Sequence, residues 1–123
     1  MMKTMEFLIH NPGESAVSYY LPLKDPSRLI GFSASAGAGQ ASGKIEIEDG
    51  DSNTIMEADL DAIDNAGDVI KGEWEGSATE AQKKVIFDRD NPLVIKIDLA
   101  TDTTVGIQLV VDPFLIGAHE GLS

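Results

Sequence analysis

Residues able to do chemistry occur in this chain, but not in the groupings that chemistry requires. The densest oxygen cluster is Asp49-Gly50-Asp51-Ser52-Asn53, whose alternate side-chain oxygens match the opening of a calcium loop. An EF-hand loop also needs glycine at its sixth position and a bidentate glutamate at its twelfth. Those positions hold Thr54 and Leu60. The segment therefore reads as a solvated turn, with a looser calcium site as the rival reading. Gly37-Ala38-Gly39-Gln40-Ala41-Ser42-Gly43 has the composition of a phosphate cradle. Such a cradle needs a strand before it and a helix after it, and Lys44 to Glu48 alternate as a strand does. The two histidines, His10 and His119, lie near opposite ends, and neither has a neighbouring His or Cys to complete a zinc set. No nucleophile elbow occurs. Paired carboxylates could hydrolyse glycosides, but among 21 acidic residues such pairs arise by chance. The sequence thus names no catalytic residue, no metal ligand and no cofactor. It reads as a binding or scaffolding domain, not an enzyme.

Aromatic side chains offer a second kind of chemistry, stacking against sugars. Trp74, Tyr19 and Tyr20 are the candidates, since aromatics with polar tips favour binding surfaces. Trp74 shares its alternation with Ile70, and Tyr19 with Val17 and Leu21, which assigns both to the core. Tyr20 points the other way, between Ser18 and Pro22, and is the surface candidate.

The elements that must carry these residues are strands. In Leu93-Val94-Ile95-Lys96-Ile97-Asp98-Leu99 every odd position is apolar, and Val105, Ile107, Leu109 and Val111 repeat the pattern. Period two means one buried face, because successive side chains point to opposite sides of a strand. Two such runs joined by five residues predict an antiparallel hairpin. Weaker alternation marks strands through Val17 to Leu23, Arg28 to Ala34, Lys44 to Glu48, Val69 to Trp74 and Val85 to Phe87. The segment 54–60 fits both a helical and a strand spacing and is assigned to a strand. Ser77 and Glu80 have capping-box spacing for one helical turn. Turn clusters at 24–27, 49–53, 65–68 and 88–92 separate the runs. About eight short strands without βαβ alternation predict an all-β fold, an antiparallel β-sandwich of jelly-roll type.

Composition narrows the partners. The chain has 123 residues, no cysteine and a net charge of −12. Its length suits one domain. Such a surface repels nucleic-acid phosphates and anionic membranes, and no run is long enough to span a bilayer. The start does not read as a secretory signal, since Glu6 interrupts a short apolar run, so a soluble protein made in the cytoplasm is expected. Residues 1–15 are expected to form an N-terminal arm or first strand, 16–114 the sandwich, and 115–123 a tail. Met5, Phe7, Leu8 and Ile9 at one end, and Phe114, Leu115 and Ile116 at the other, are apolar residues flanking the main alternating core. With Tyr20 they are the candidate partner-binding residues, because exposed apolar patches mark interaction sites.

The order of features resembles a family. Leu29-Ile30-Gly31-Phe32-Ser33, a Gly/Ala/Ser loop and Gly43-Lys44-Ile45-Glu46-Ile47 come first, followed by Ala66-Gly67-Asp68-Val69-Ile70. Asp90-Asn91-Pro92-Leu93-Val94-Ile95-Lys96-Ile97 and Thr104-Val105-Gly106-Ile107-Gln108-Leu109-Val110-Val111-Asp112-Pro113-Phe114 complete it. This pattern, over residues 16–114, resembles the small jelly-roll virion proteins of tailed bacteriophages, especially capsid decoration (cement) proteins. The resemblance implies a homo-oligomer, often a trimer, on the capsid exterior, clamping neighbouring major capsid subunits. It carries no catalytic residues. A carbohydrate-binding or adhesive fibre module is the alternative.

Overall fold

The computed structural model describes residues 2–113; the predicted contacts Phe114, Leu115 and Ile116, and His119, lie outside them. Among the described residues, ten strands form two antiparallel sheets. The first sheet holds β1 (Lys3–Ile9), β10 (Val105–Pro113), β3 (Ser27–Ala36) and β6 (Val69–Lys71) in that order, with β8 (Ile86–Phe87) also pairing β3. The second runs β2 (Val17–Leu21), β9 (Leu93–Leu99), β4 (Gly43–Glu48), β5 (Thr54–Asp59) and β7 (Glu73–Trp74). The two-residue strands β7 and β8 aside, eight strands remain, in the interleaved order of a jelly roll. The all-β sandwich expected from the alternation is what the chain forms.

Each strand contributes one apolar row to the layer between the sheets. Ile45 and Ile47 on β4, Ile95, Ile97 and Leu99 on β9, and Val105, Ile107, Leu109 and Val111 on β10 are all buried. Phe32 and Phe87 supply the aromatic bulk. Residues 54–60 resolve as strand β5 followed by a 3₁₀ turn at Leu60–Ala62. Of the two readings of the N-terminus, the structure shows the strand: all seven residues of β1 pair with β10.

Three local expectations are corrected. First, residues 93–99 and 105–111 are strands but not a hairpin. β9 pairs with β2 and β4, whereas β10 pairs with β1 and β3. Alternation reports that a strand has one buried face; it does not report whether its neighbour lies beside it or across the core. Second, 69–74 is not one strand. Its first half pairs β3 in one sheet and its second half pairs β5 in the other. The chain changes sheets at Gly72, whose amide donates to Phe32 O at 2.7 Å and where any Cβ would strike the Phe32 ring. Third, the helical turn α1 (Glu80–Lys83) is capped by Thr79 and Gln82, not by Ser77 and Glu80. Ser77 instead donates to Glu75.

Strands that alternate between sheets need loops able to cross the sandwich end. Gln40 organises one such end and is only 4 % exposed. Its Oε1 accepts from the amides of Ala100 and Thr101, each at 2.9 Å, and its Nε2 donates to Thr101 O at 2.9 Å. Its own amide donates to Ile63 O at 2.8 Å. One side chain thus ties the β3–β4 loop to the β9–β10 crossing. The Gly/Ala/Ser stretch around it is small because it is close-packed: Gly39 lies against the Asp64 carbonyl, and Gly43, at φ +104°, lies against that of Asp98.

Gln40→Leu leaves two part-buried amides, those of Ala100 and Thr101, without their acceptor, and each such loss costs at most about 1–3 kcal/mol. Urea denaturation is expected to show roughly 2–4 kcal/mol of destabilisation on that basis. The exposed control Gln108→Leu is expected to stay within about 0.5 kcal/mol of the parent.

Candidate interaction surface

Parity fixes which side chains each sheet shows to solvent, and the two outer faces differ in kind. On the second sheet, cross-strand neighbours place Lys96, Glu46, Glu57 and Glu73 in one row, and Asp98, Lys44 and Asp59 in the next. Lys44 Nζ lies 3.5 Å from Glu57 and 3.9 Å from Asp59. The Glu57 carboxylate is the main cause that raises the Lys44 pKa above its ordinary value. Glu46 accepts from Thr54 Oγ1 at 2.9 Å. This face is acidic, and Lys44, Glu46, Glu57 and Asp59 are engaged with their neighbours.

The outer face of the first sheet is close to neutral. One row crosses it as Glu6, Gln108, Ser33 and Lys71, and the next as Leu8, Gly106, Ser35 and Val69. Gln108 Nε2 donates to Glu6 at 3.2 Å, and Ser33 Oγ donates to Gln108 Oε1 at 3.3 Å, so the polar row is a ladder of mutual hydrogen bonds. In the adjacent row Leu8 and Val69 are 63 % and 67 % exposed. Between them the floor drops to Gly106 and Ser35, leaving an open hollow of about 450 Å³. A second hollow of about 510 Å³ begins beyond Ser33 and Gln108, over Gly31 and Phe32, and reaches Trp74 at the sandwich edge. Two apolar knobs beside a shallow trough suit contact with another protein surface. Deep enclosure around a small molecule would need a different shape.

The structure disperses the predicted contact residues. Of those described, Leu8 alone stands on the neutral face. Met5, Phe7 and Ile9 point inward from β1 and are partly buried against the core. Tyr20, 69 % exposed, stands on the acidic side, opposite Val94. Trp74 pairs with buried Met56 and so points to the inner side of β7, where the open edge leaves it 37 % exposed instead of in the core. Tyr20 and Trp74 sit on the two outermost strands of their sheet, about 19 Å apart at ordinary strand spacing, and on opposite faces. They form no common stacking platform. Val69, Val110 and Gly106 were legible as outward positions, but nothing in the sequence signals that they share a face with Leu8.

Asp49 is buried and its carboxylate accepts from the amides of Asp51 and Asn53 and from Asn53 Nδ2. The cluster is thus a turn closed by its own first residue. His10 Nδ1 lies 3.4 Å from Thr104 Oγ1. Among the described residues, no three His, Cys, Asp or Glu side chains are grouped so as to hold a metal ion, and no helix is long and apolar enough to cross a membrane. Comparison with family models, with curated proteins and with solved structures returns no match for this chain.

Two outcomes follow from the faces. Leu8→Lys and Val69→Lys change only solvated positions, so each is expected to leave stability within about 0.5 kcal/mol of the parent in urea denaturation. The Glu75 carboxyl is held below its ordinary pKa of 4.5, first by the Ser77 hydroxyl and then by the Ser77 amide. Its favourable contribution is therefore present above that value and fades as pH falls through the lower folded value. Ser77→Ala is expected to move the Glu75 titration upward toward 4.5, read from its carboxyl resonance by NMR.

Proposed function

We propose that the protein is a structural component of a virion: a jelly-roll decoration protein that sits on the outer face of a major capsid lattice and stabilises it, as a homotrimer. The observation that carries this reading is the inequality of the two outer faces. The neutral face, with Leu8 and Val69 around a trough, is suited to seat on protein. The acidic face is suited to remain in solvent. Sandwiches of this topology serve capsids and lectins alike, so topology does not choose between a virion role and sugar binding. Separation of Tyr20 from Trp74 counts against the sugar-binding alternative.

The charge supports the same orientation. A net charge of −12 keeps the free protein soluble and away from nucleic acid. Closed symmetric assembly is the usual arrangement for such units.

The test is sedimentation of the purified protein with intact phage capsids whose genome encodes it, together with light scattering of the free protein. Saturable binding, raised thermal resistance of the shells and a trimeric mass are expected. Leu8→Lys combined with Val69→Lys is expected to weaken capsid binding at least ten-fold while the fold persists. A soluble monomer that ignores the capsid would overturn the reading.

A further inference from the structure

The outer face of the first sheet is polarised across its strands. Its polar row starts at Glu6 on β1 and ends at Lys71 on β6, with Gln108 and Ser33 between them. Both end charges are exposed, and among the described residues neither is ion-paired within its own chain. The next row has an apolar knob at each end, Leu8 and Val69, with Gly106 and Ser35 between. On the other side of the polar row, Val110 stands beside Gly31.

A face patterned this way matches itself. We infer that it pairs with the same face of a second copy, about a two-fold axis that runs along the strands between β10 and β3. In a two-fold interface, when one residue meets another, the reverse contact is made as well. This axis sets β1 over β6 of the second copy and β10 over its β3. Glu6 then meets Lys71 of the second copy, Leu8 meets Val69, and the Val110 side chain lies over Gly31, each contact made twice. Facing sheets pack about 10 Å apart with strands within about 30° of each other, a gap that Glu and Lys side chains reaching from opposite sides can close. An axis across the strands would set β1 against β1 and β6 against β6, so that like charges, or a charge and an apolar knob, would meet. The acidic sheets lie on opposite outer sides of the pair. Four strands give a face smaller than the roughly 800 Å² per partner of a standard interface, so the pairing is weak and reversible. It covers the surface proposed above to seat on a capsid; that competition alone rests on the capsid reading.

The test is sedimentation equilibrium of the purified protein from about 10 µM to about 1 mM at low salt, where exposed charges are least screened. The free unit, a single chain or the trimer proposed above, is expected to double in mass. Over the same range the amide resonances of Ser33, Ser35 and Gly106 are expected to move, while those of Glu46 and Asp98 on the second sheet stay. Glu6→Lys and Lys71→Glu are each expected to weaken pairing roughly ten-fold, and the two together to return it to within about three-fold of the parent. Glu6→Lys makes the molecule less negative, so net charge alone would strengthen association; weakening reports the specific contact. Both residues are exposed, and urea denaturation checks that each variant stays folded. A mass that does not double, resonance changes that spare the first sheet, or a double variant no better than the single ones would each overturn the inference. A protein that pairs in this way yet ignores capsids upholds it and sinks the capsid reading alone.

Discussion

The structure depends on an aliphatic layer that no backbone hydrogen bond crosses. Consecutive strands lie mostly in opposite sheets, so sheet pairing joins residues far apart in sequence; β1 and β10 are one example, with Glu6 beside Gln108. Among the described residues, only β4 and β5 follow one another as a hairpin in one sheet. The two sheets are therefore held by interdigitated side chains and by the loops that cross between them. Inward-facing aliphatics on the interior strands, such as Ile45, Ile47, Val105 and Leu109, are accordingly among the least exposed residues. Polar burial falls at the strand ends and in the loops. Gln40 and Asp49, both buried, satisfy loop amides that no strand could reach.

A layer built this way leaves both outer faces free to diverge, because neither contributes to the core. Along β4 the outward residues are Lys44, Glu46 and Glu48, and along β3 they include Gly31, Ser33 and Ser35. The first set is held in solvent by charge. The second is small enough for another surface to approach closely. Acidity is thus distributed and not uniform, and a molecule of net charge −12 can still present a neutral side. Free in solution, like charges on the second sheet keep molecules apart; contact through the first sheet does not bring those charges together. Charge and close-approach surface lie on different sheets of one sandwich.

Strand existence was legible because burial imposes period two, and the cleanest runs, 93–99 and 105–111, are interior strands of the two sheets. What alternation cannot encode is the partner. A buried face looks the same whether the next strand pairs beside it or packs across the core, so the hairpin reading failed where the chain crosses at 100–104. The β6–β7 strand pair failed for a related reason. Gly72 carries no side chain to break the apparent alternation from Ile70 to Trp74, yet its closeness to Phe32 is what turns the chain between sheets. The capping box was misplaced by two residues because Ser77 had a local competitor, the Glu75 carboxylate. For the site, outward parity was readable residue by residue. The assembly of Leu8, Gly106, Ser35 and Val69 into one row required the order of four strands, which no local pattern holds.

That strand order also decides where association can occur. Unpaired edges invite strand addition, and short edges suppress it. Three flanks of the sandwich end in short strands: β2 has five residues and is followed by Pro22, β6 has three, and β7 has two. β1 is the exception. Among the described residues its seven positions pair on the β10 side alone. The same strand carries Leu8 on the neutral face and Met5 and Phe7 in an apolar slot between the sheets, so three recognition features converge on one edge: a backbone rim, an exposed knob and a half-filled apolar recess. Lys3 and Glu6 place charge along that rim, which discourages indiscriminate pairing while leaving a complementary partner able to dock. A knob and a recess beside a charged edge favour a shaped partner over indiscriminate strand pairing.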